Sequence, residues 1–423
     1  MIANNYLRFF QTQKAKNFLI YGFGQAINLI SPLLVIPYLI SRCGEEGLGK
    51  VGVGYSFALI AIVIVDYGSY INGTKEISIH NDHKAILEEK FTTICISKLI
   101  LLLGVLLFSL LLLYTVPFFS RDFMQLLFSL LIVVGQFINP TWFFQGIQNF
   151  KWISLINVLS KGIYLGLVFL CIKNPEDYIW ANAFFGIGLI VAGLIGFLWI
   201  CKQYSISFQK ASVAKAIALI KTEFSLTVSQ LFFSLYQYAP IMMISFIGGD
   251  FMAGQYRVID QIIMIFRTYF QMFFNFIYAE VCLKIYENSS QGIKSWAKSN
   301  GLNYSLVIFL LVLFYIFAHE ILAFFKVDMT TETNLIGLFR VGLLIPVFMG
   351  VSFALKQLMF SFNENKAYIN ITILSTIISL VLMYFSIITF GLIGSFLTII
   401  IIEFLIIITY LIILKPNIFV KNN

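Results

Sequence analysis

The chain has 423 residues, of which 60% are apolar, 17% aromatic and only 11% charged. A soluble domain carries about 25% charged residues and stops enlarging a single core near ~250–300 residues, so this apolar excess has lipid as its solvent. What is left between spans of about 20 residues is too short for a folded aqueous domain, which excludes most enzymes.

The polar start (Arg8, Lys14, Lys16) precedes a long first span with no small-residue cleavage site, and reads as a retained anchor and not a removed signal peptide. Twelve apolar stretches follow in chain order: 15–40, 51–72, 91–114, 123–144, 152–172, 178–201, 223–247, 255–280, 300–318, 334–359, 368–388 and 391–414. Lys and Arg distribute unevenly between them. Seventeen fall on one set of alternating connections, among them Lys75, Lys84, Lys90, Lys202, Lys215 and Lys421, and five (Arg42, Lys50, Arg121, Lys173, Lys326) on the other. The positive-inside rule then places both termini in the cytoplasm, and the net charge of +8 marks a membrane face and not a nucleic-acid partner.

The lysine-rich connection 202–222 divides the chain into an N-terminal half, 1–201, and a C-terminal half, 223–414, with a tail at 415–423. The expected fold is an all-α membrane protein with twelve helices in two six-helix halves, related as parallel repeats. A polar stripe echoes between the halves. Asn17, Tyr21, Gly24, Asn28 and Ser31 in the first span match Glu223, Thr227, Gln230, Ser234 and Gln237 in the seventh in spacing, and glycine-bearing outer turns (Gly47-Leu48-Gly49, Ala253-Gly254) follow.

The eighth span gathers Arg257, Asp260, Gln261, Arg267, Thr268, Gln271 and Asn275 on one face. An arginine at mid-bilayer costs at least ~2.5–3.5 kcal/mol, so it faces protein or water. One carboxylate cannot neutralise two guanidiniums, which leaves positive charge for an anion; a purely structural ion pair is the competing reading. Asp66, deep in the second span, and Glu403, in the last, pose the same question of ion coupling or pairing, and Asp260 is a further ion-coupling candidate. Lys98, Lys161 and Lys356 lie near helix ends and are expected to snorkel. His80, Asp82 and His83 look like chelators but sit in a charged loop, so no metal and no cofactor are expected. Nor do the five scattered cysteines suggest a disulfide framework.

The stretch Asn139-Pro140-Thr141-Trp142-Phe143-Phe144-Gln145-Gly146 resembles the end of the fourth span in Wzx-like polysaccharide-unit flippases of the multidrug/oligosaccharidyl-lipid/polysaccharide exporter superfamily. Ile36-Pro37-Tyr38-Leu39, Asp66-Tyr67-Gly68 and Gly391-Leu392-Ile393-Gly394-Ser395 with Glu403 agree with it. The resemblance implies a bacterial inner-membrane protein that carries an undecaprenyl-diphosphate-linked oligosaccharide to the periplasmic leaflet for O-antigen or other surface polysaccharide. Its partners would be the bilayer and polymerase and chain-length machinery. On that reading Arg257 and Arg267 hold the diphosphate, Gln230, Ser234, Gln237, Gln271 and Asn28 contact sugar hydroxyls, and Tyr21 and Tyr236 stack on sugar faces. A drug or cation exporter of the same superfamily, and more remotely a polysaccharide polymerase, are the alternatives.

Overall fold

The computed structural model describes residues 13–68, 72–80, 83–208, 212–328 and 334–419, without the side chains of 13–21, 25, 225–226 and 417–419. Among the described residues all regular structure is helical, and ten helices are long and apolar enough to cross a membrane. Helices α1 (Gln13–Asp66), α2 (Lys84–Thr115), α3 (Phe123–Ile138), α4 (Phe150–Cys171) and α5 (Ala181–Tyr204) come first. They are followed by α6 (Val213–Glu287), α7 (Ser289–Ile316), α8 (Leu335–Gly342), α9 (Leu344–Ser361), α10 (Asn365–Phe390) and α11 (Leu392–Phe419).

Two of these are too long for one crossing. At 54 and 75 residues, α1 and α6 exceed the ~20 residues a span requires several times over. Each is broken once, at Gly44 (φ 72, ψ 178) and Gly249 (φ 85, ψ 170), in a conformation essentially restricted to glycine. Counting each of the two as a pair of spans turns ten long helices into twelve segments.

The breaks also correct the expected outer turns. Gly47-Leu48-Gly49 and Ala253-Gly254 are helical, and the helix breaks several residues earlier in both places. A buried acid follows each break, Glu45 and Asp250, at the start of the next helical stretch, where negative charge suits the helix dipole. The connection after α5 is likewise shorter than 202–222, because α6 is helical from Val213.

The chain forms two compact units, Met1–Ser234 and Leu235–Asn423. In the first, α3 packs on α5 and α1, and α4 on α5 and α1. Backbones approach closely there: a Cβ on Gly186 would stand 2.5 Å from the Leu131 carbonyl carbon. Small residues at such contacts let helices associate where apolar burial gives no driving force. The Pro140–Gly146 motif proves to be a packing device. Trp142, Phe143 and Phe144 are buried, with Trp142 stacked on Phe91 and Phe144 on Trp152. In the second unit α9 and α10 both pack against α11.

Candidate functional site

In the first unit, α1 ends at Asp66, and Tyr67 (φ 35) and Gly68 (φ 72) turn the chain in the left-handed region. Asp66 is therefore a helix-end residue and not deep in a span. A carboxylate at a helix C-terminus opposes the dipole, and a buried cation compensates it. Lys98 Nζ lies 2.9 Å from Asp66 Oδ1, and Gln136 Nε2 donates to Oδ2 at 3.0 Å. Lys98 is 2% exposed, so it does not snorkel; it pairs.

These groups open into a cavity of about 420 Å³ whose walls include Asn72, Lys75, Lys90 and Glu223. Glu223 is buried and accepts from Asn72 Nδ2 at 2.5 Å. Lys90 pairs with Glu76 at 2.9 Å and Lys215 with Glu89 at 2.6 Å, tying the start of α6 to α2.

The second unit holds the other charged cluster. Arg257 Nη1 lies 3.4 Å from Asp260 Oδ2, one turn along α6. Arg267 stands roughly 26 Å along the helix from the Gly249 break, farther than a span starting at 255 would place it. Its Nη1 meets the thioether of Met264 at 2.9 Å, a weak acceptor, and it has no ion pair within 4 Å among the described residues.

Glu403 on α11 belongs to the same electrostatic neighbourhood. Its carboxylate accepts from Tyr236 Oη at 2.9 Å and from Ser352 Oγ at 2.8 Å, and Arg267 and Lys356 are the cations whose charge reaches it. The sequence reading weighed Asp260 alone against Arg257 and Arg267; Glu403, on another helix, adds a second carboxylate whose field reaches Arg267, and Lys356 adds a third cation.

Lys356 is surrounded by rings. Its ammonium lies 5.1–5.8 Å from the ring centres of Phe274, Phe353, Phe360 and Tyr368, an aromatic cage that holds a cation by its ring faces. Lys161, midway along α4, is likewise 3.8 Å from the centre of Phe185.

The remaining expected residues distribute between the units. Asn28, Gln230 and Ser234 belong to the first, Ser234 being buried with no hydrogen-bond partner for its hydroxyl. Gln237 and Gln271 belong to the second, where Gln271 Nε2 donates to Asn275 Oδ1 at 3.0 Å. The Tyr21 side chain lies outside the described residues. Tyr236, expected to stack on sugar, gives its hydroxyl to Glu403. His80 Nδ1 contacts the Glu76 carbonyl oxygen at 2.9 Å, Asp82 lies outside the described residues, and no metal-holding group of three ligands occurs among the described ones. Glu223 was legible as the first member of the seventh-span stripe, but its pairing with Asn72 was not; Ser352 and the cage around Lys356 were missed, because their partners lie far from them along the chain.

The fold defined by these helices is that of MATE transporters. An inward-facing structure of a multidrug resistance MATE family transporter of the MOP superfamily superposes with a TM-score of 0.70 at 14% identity, covering 94% of this chain and 98% of that one. Residues 15–283 match the family described as "Polysaccharide biosynthesis protein", and the chain belongs to that family. Two curated relatives are each named "Putative O-antigen transporter". The one from Escherichia coli (strain K12) is 26% identical over 56% of this chain, the one from Shigella dysenteriae 23% over 59%. The aligned stretches span 57% and 62% of those relatives' own lengths.

Proposed function

We propose that the protein is a flippase that moves an undecaprenyl-diphosphate-linked oligosaccharide from the cytoplasmic to the periplasmic leaflet of a bacterial inner membrane. The observation that carries this reading is Arg267, a guanidinium within a membrane-crossing helix whose hydrogen-bonding partner is a thioether and not a carboxylate. Its unused donors suit phosphate oxygens, which accept charge-assisted bonds in a fork geometry. Asp66, Asp260 and Glu403 are already engaged by Lys98, Arg257 and two hydroxyls, so the acids offer a cationic drug less than the arginines offer an anion.

A diphosphate with sugars cannot cross ~30 Å of hydrocarbon bare. The amides and hydroxyls of Asn28, Gln230, Ser234, Gln237 and Gln271 would replace its water while the isoprenoid stays in the bilayer. Rocking of the two halves would supply alternating access, and Asp66 and Asp260 are the residues through which an ion would couple to it. The relatives named as O-antigen transporters support this substrate class.

Deletion in the native strain should accumulate single, cytoplasm-facing lipid-linked units; periplasm-facing unpolymerised units would point to a polymerase instead. In the complemented strain, Arg267→Ala should abolish surface polysaccharide at normal protein level. Loss of one charge-assisted contact of about 1.5–3 kcal/mol predicts substrate binding about 10- to 150-fold weaker, and Arg267→Lys should restore part of it. Unchanged polysaccharide in Arg267→Ala would remove this residue from the substrate site.

A further inference from the structure

The second unit carries a groove that the flippase reading does not use. About 550 Å³ in volume, it runs between α7 and the α8–α9 pair. One wall is a face of α7 with Leu311, Val312 and Tyr315; the other presents Arg340, Leu344 and Val347. Val312, Tyr315 and Leu344 are each about half exposed, which on membrane-crossing helices means that they face acyl chains.

Arg340 is the one charged residue in this apolar lining. It is fixed in place: its guanidinium lies 4.7 Å from the Tyr315 ring centre, and its Nε donates to the Tyr315 carbonyl oxygen at 3.4 Å. Both Nη groups keep their donors unused among the described residues. Arg340 sits roughly 8 Å along α8 from its Leu335 end, within the ~5–8 Å that the headgroup layer adds on each side of the hydrocarbon. A guanidinium near a helix end, continuous with an exposed apolar channel, has the two chemistries of one molecule.

From this geometry we infer that the groove between α7 and α8–α9 is a binding site for an anionic glycerophospholipid, with its phosphodiester on Arg340 and an acyl chain along Leu311, Val312, Leu344 and Val347. The apolar channel asks for a chain, and the single cation asks for a phosphate with no cation of its own. A zwitterionic headgroup would carry a competing ammonium to the same place.

The test is native mass spectrometry of the full-length protein, released from nanodiscs containing phosphatidylglycerol and phosphatidylcholine in equal amounts. Wild type should retain phosphatidylglycerol over phosphatidylcholine by about fivefold, the worth of one arginine near an anionic headgroup. Arg340→Gln should lose that preference while still retaining lipid, and Arg340→Lys should keep part of it. Val312→Trp, which fills the channel and leaves the charge, should lower retention of both lipids. Size-exclusion profiles matching wild type establish that each variant is folded. Equal preference in wild type and Arg340→Gln, unchanged retention in Val312→Trp, or displacement of phosphatidylglycerol by equimolar undecaprenyl phosphate would each overturn the assignment. None of these readouts depends on transport, so failure here and failure of the flippase reading are separate results.

Discussion

At the scale of single residues, the buried charges of the first unit are engaged by partners from other helices. Asp66 is held by Lys98 and Gln136, and Lys98 is almost wholly buried. Breaking a buried pair by removing one partner costs more than replacing both, because the survivor keeps its desolvation penalty. Lys98→Ala should therefore destabilise the protein by about 3–5 kcal/mol, while Lys98→Met combined with Asp66→Leu should recover most of the loss. Melting of the purified variants in one detergent checks both values; a double variant no better than the single would mean that the pair contributes through something other than its charge. Sequence spacing placed Lys98 near a helix end and suggested snorkelling, but could not see that Asp66 terminates its own helix beside it. The same blindness applied to Glu403, whose partners Tyr236 and Ser352 are far from it along the chain. Arg257 and Arg267 were legible, since one helix face is a local pattern; the second acid near them comes from another helix and was not.

At the scale of elements, composition revealed the apolar helices but misplaced the breaks within the two longest. Gly47 and Gly49 resemble a turn in sequence, yet they are helical, and the break falls on Gly44. Nothing local distinguishes a glycine needed for φ near +72° from one needed for close packing. Alanine at Gly44 or Gly249 should cost about 1–3 kcal/mol each, because neither conformation suits a side chain. Reduced folded yield and a lower melting temperature would register it, whereas alanine at exposed Gly301, where a Cβ would meet nothing, should be near neutral.

The ion pair between the short helix Thr74–Ile79 and α2 gives a pH-dependent element. The hydrogen bond from Lys90 holds the Glu76 carboxyl below the usual glutamate range, with partial burial opposing it and the charges of Lys90, His80 and Lys75 adding to it. A depressed carboxylate contributes stability that is present above its unfolded-state value and is lost as pH falls through its folded one. Proteolytic protection of residues 74–79 should accordingly fall on acidification below the usual glutamate range, and Glu76→Gln should flatten that dependence.

At the scale of the whole molecule, a glycine break followed by a buried acid recurs in the two longest helices, as the polar stripe does in sequence, whereas the boundary between the compact units falls at Ser234, inside α6 and not in the 202–222 connection. The orientation proposed for the chain rests on a different property, the placement of lysine and arginine. Connections bearing Lys75, Lys84 and Lys90, then Lys284, Lys294 and Lys298, alternate with ones bearing at most two cations each. Short loops rich in Lys and Arg stay on the cytoplasmic side during insertion, whereas acids count for little. A fluorescent protein fused after residue 423 should therefore fold and emit in the cytoplasm, and alkaline phosphatase inserted between Lys173 and Asn174, in the short connection after α4, should be active in the periplasm. The bias is strong enough that adding two lysines at 173–177 should lower phosphatase activity only partly, because the cations on the other connections still oppose inversion. Active phosphatase at the C-terminus with a silent insertion at 173 would reverse the topology, and the direction of transport assigned above would reverse with it.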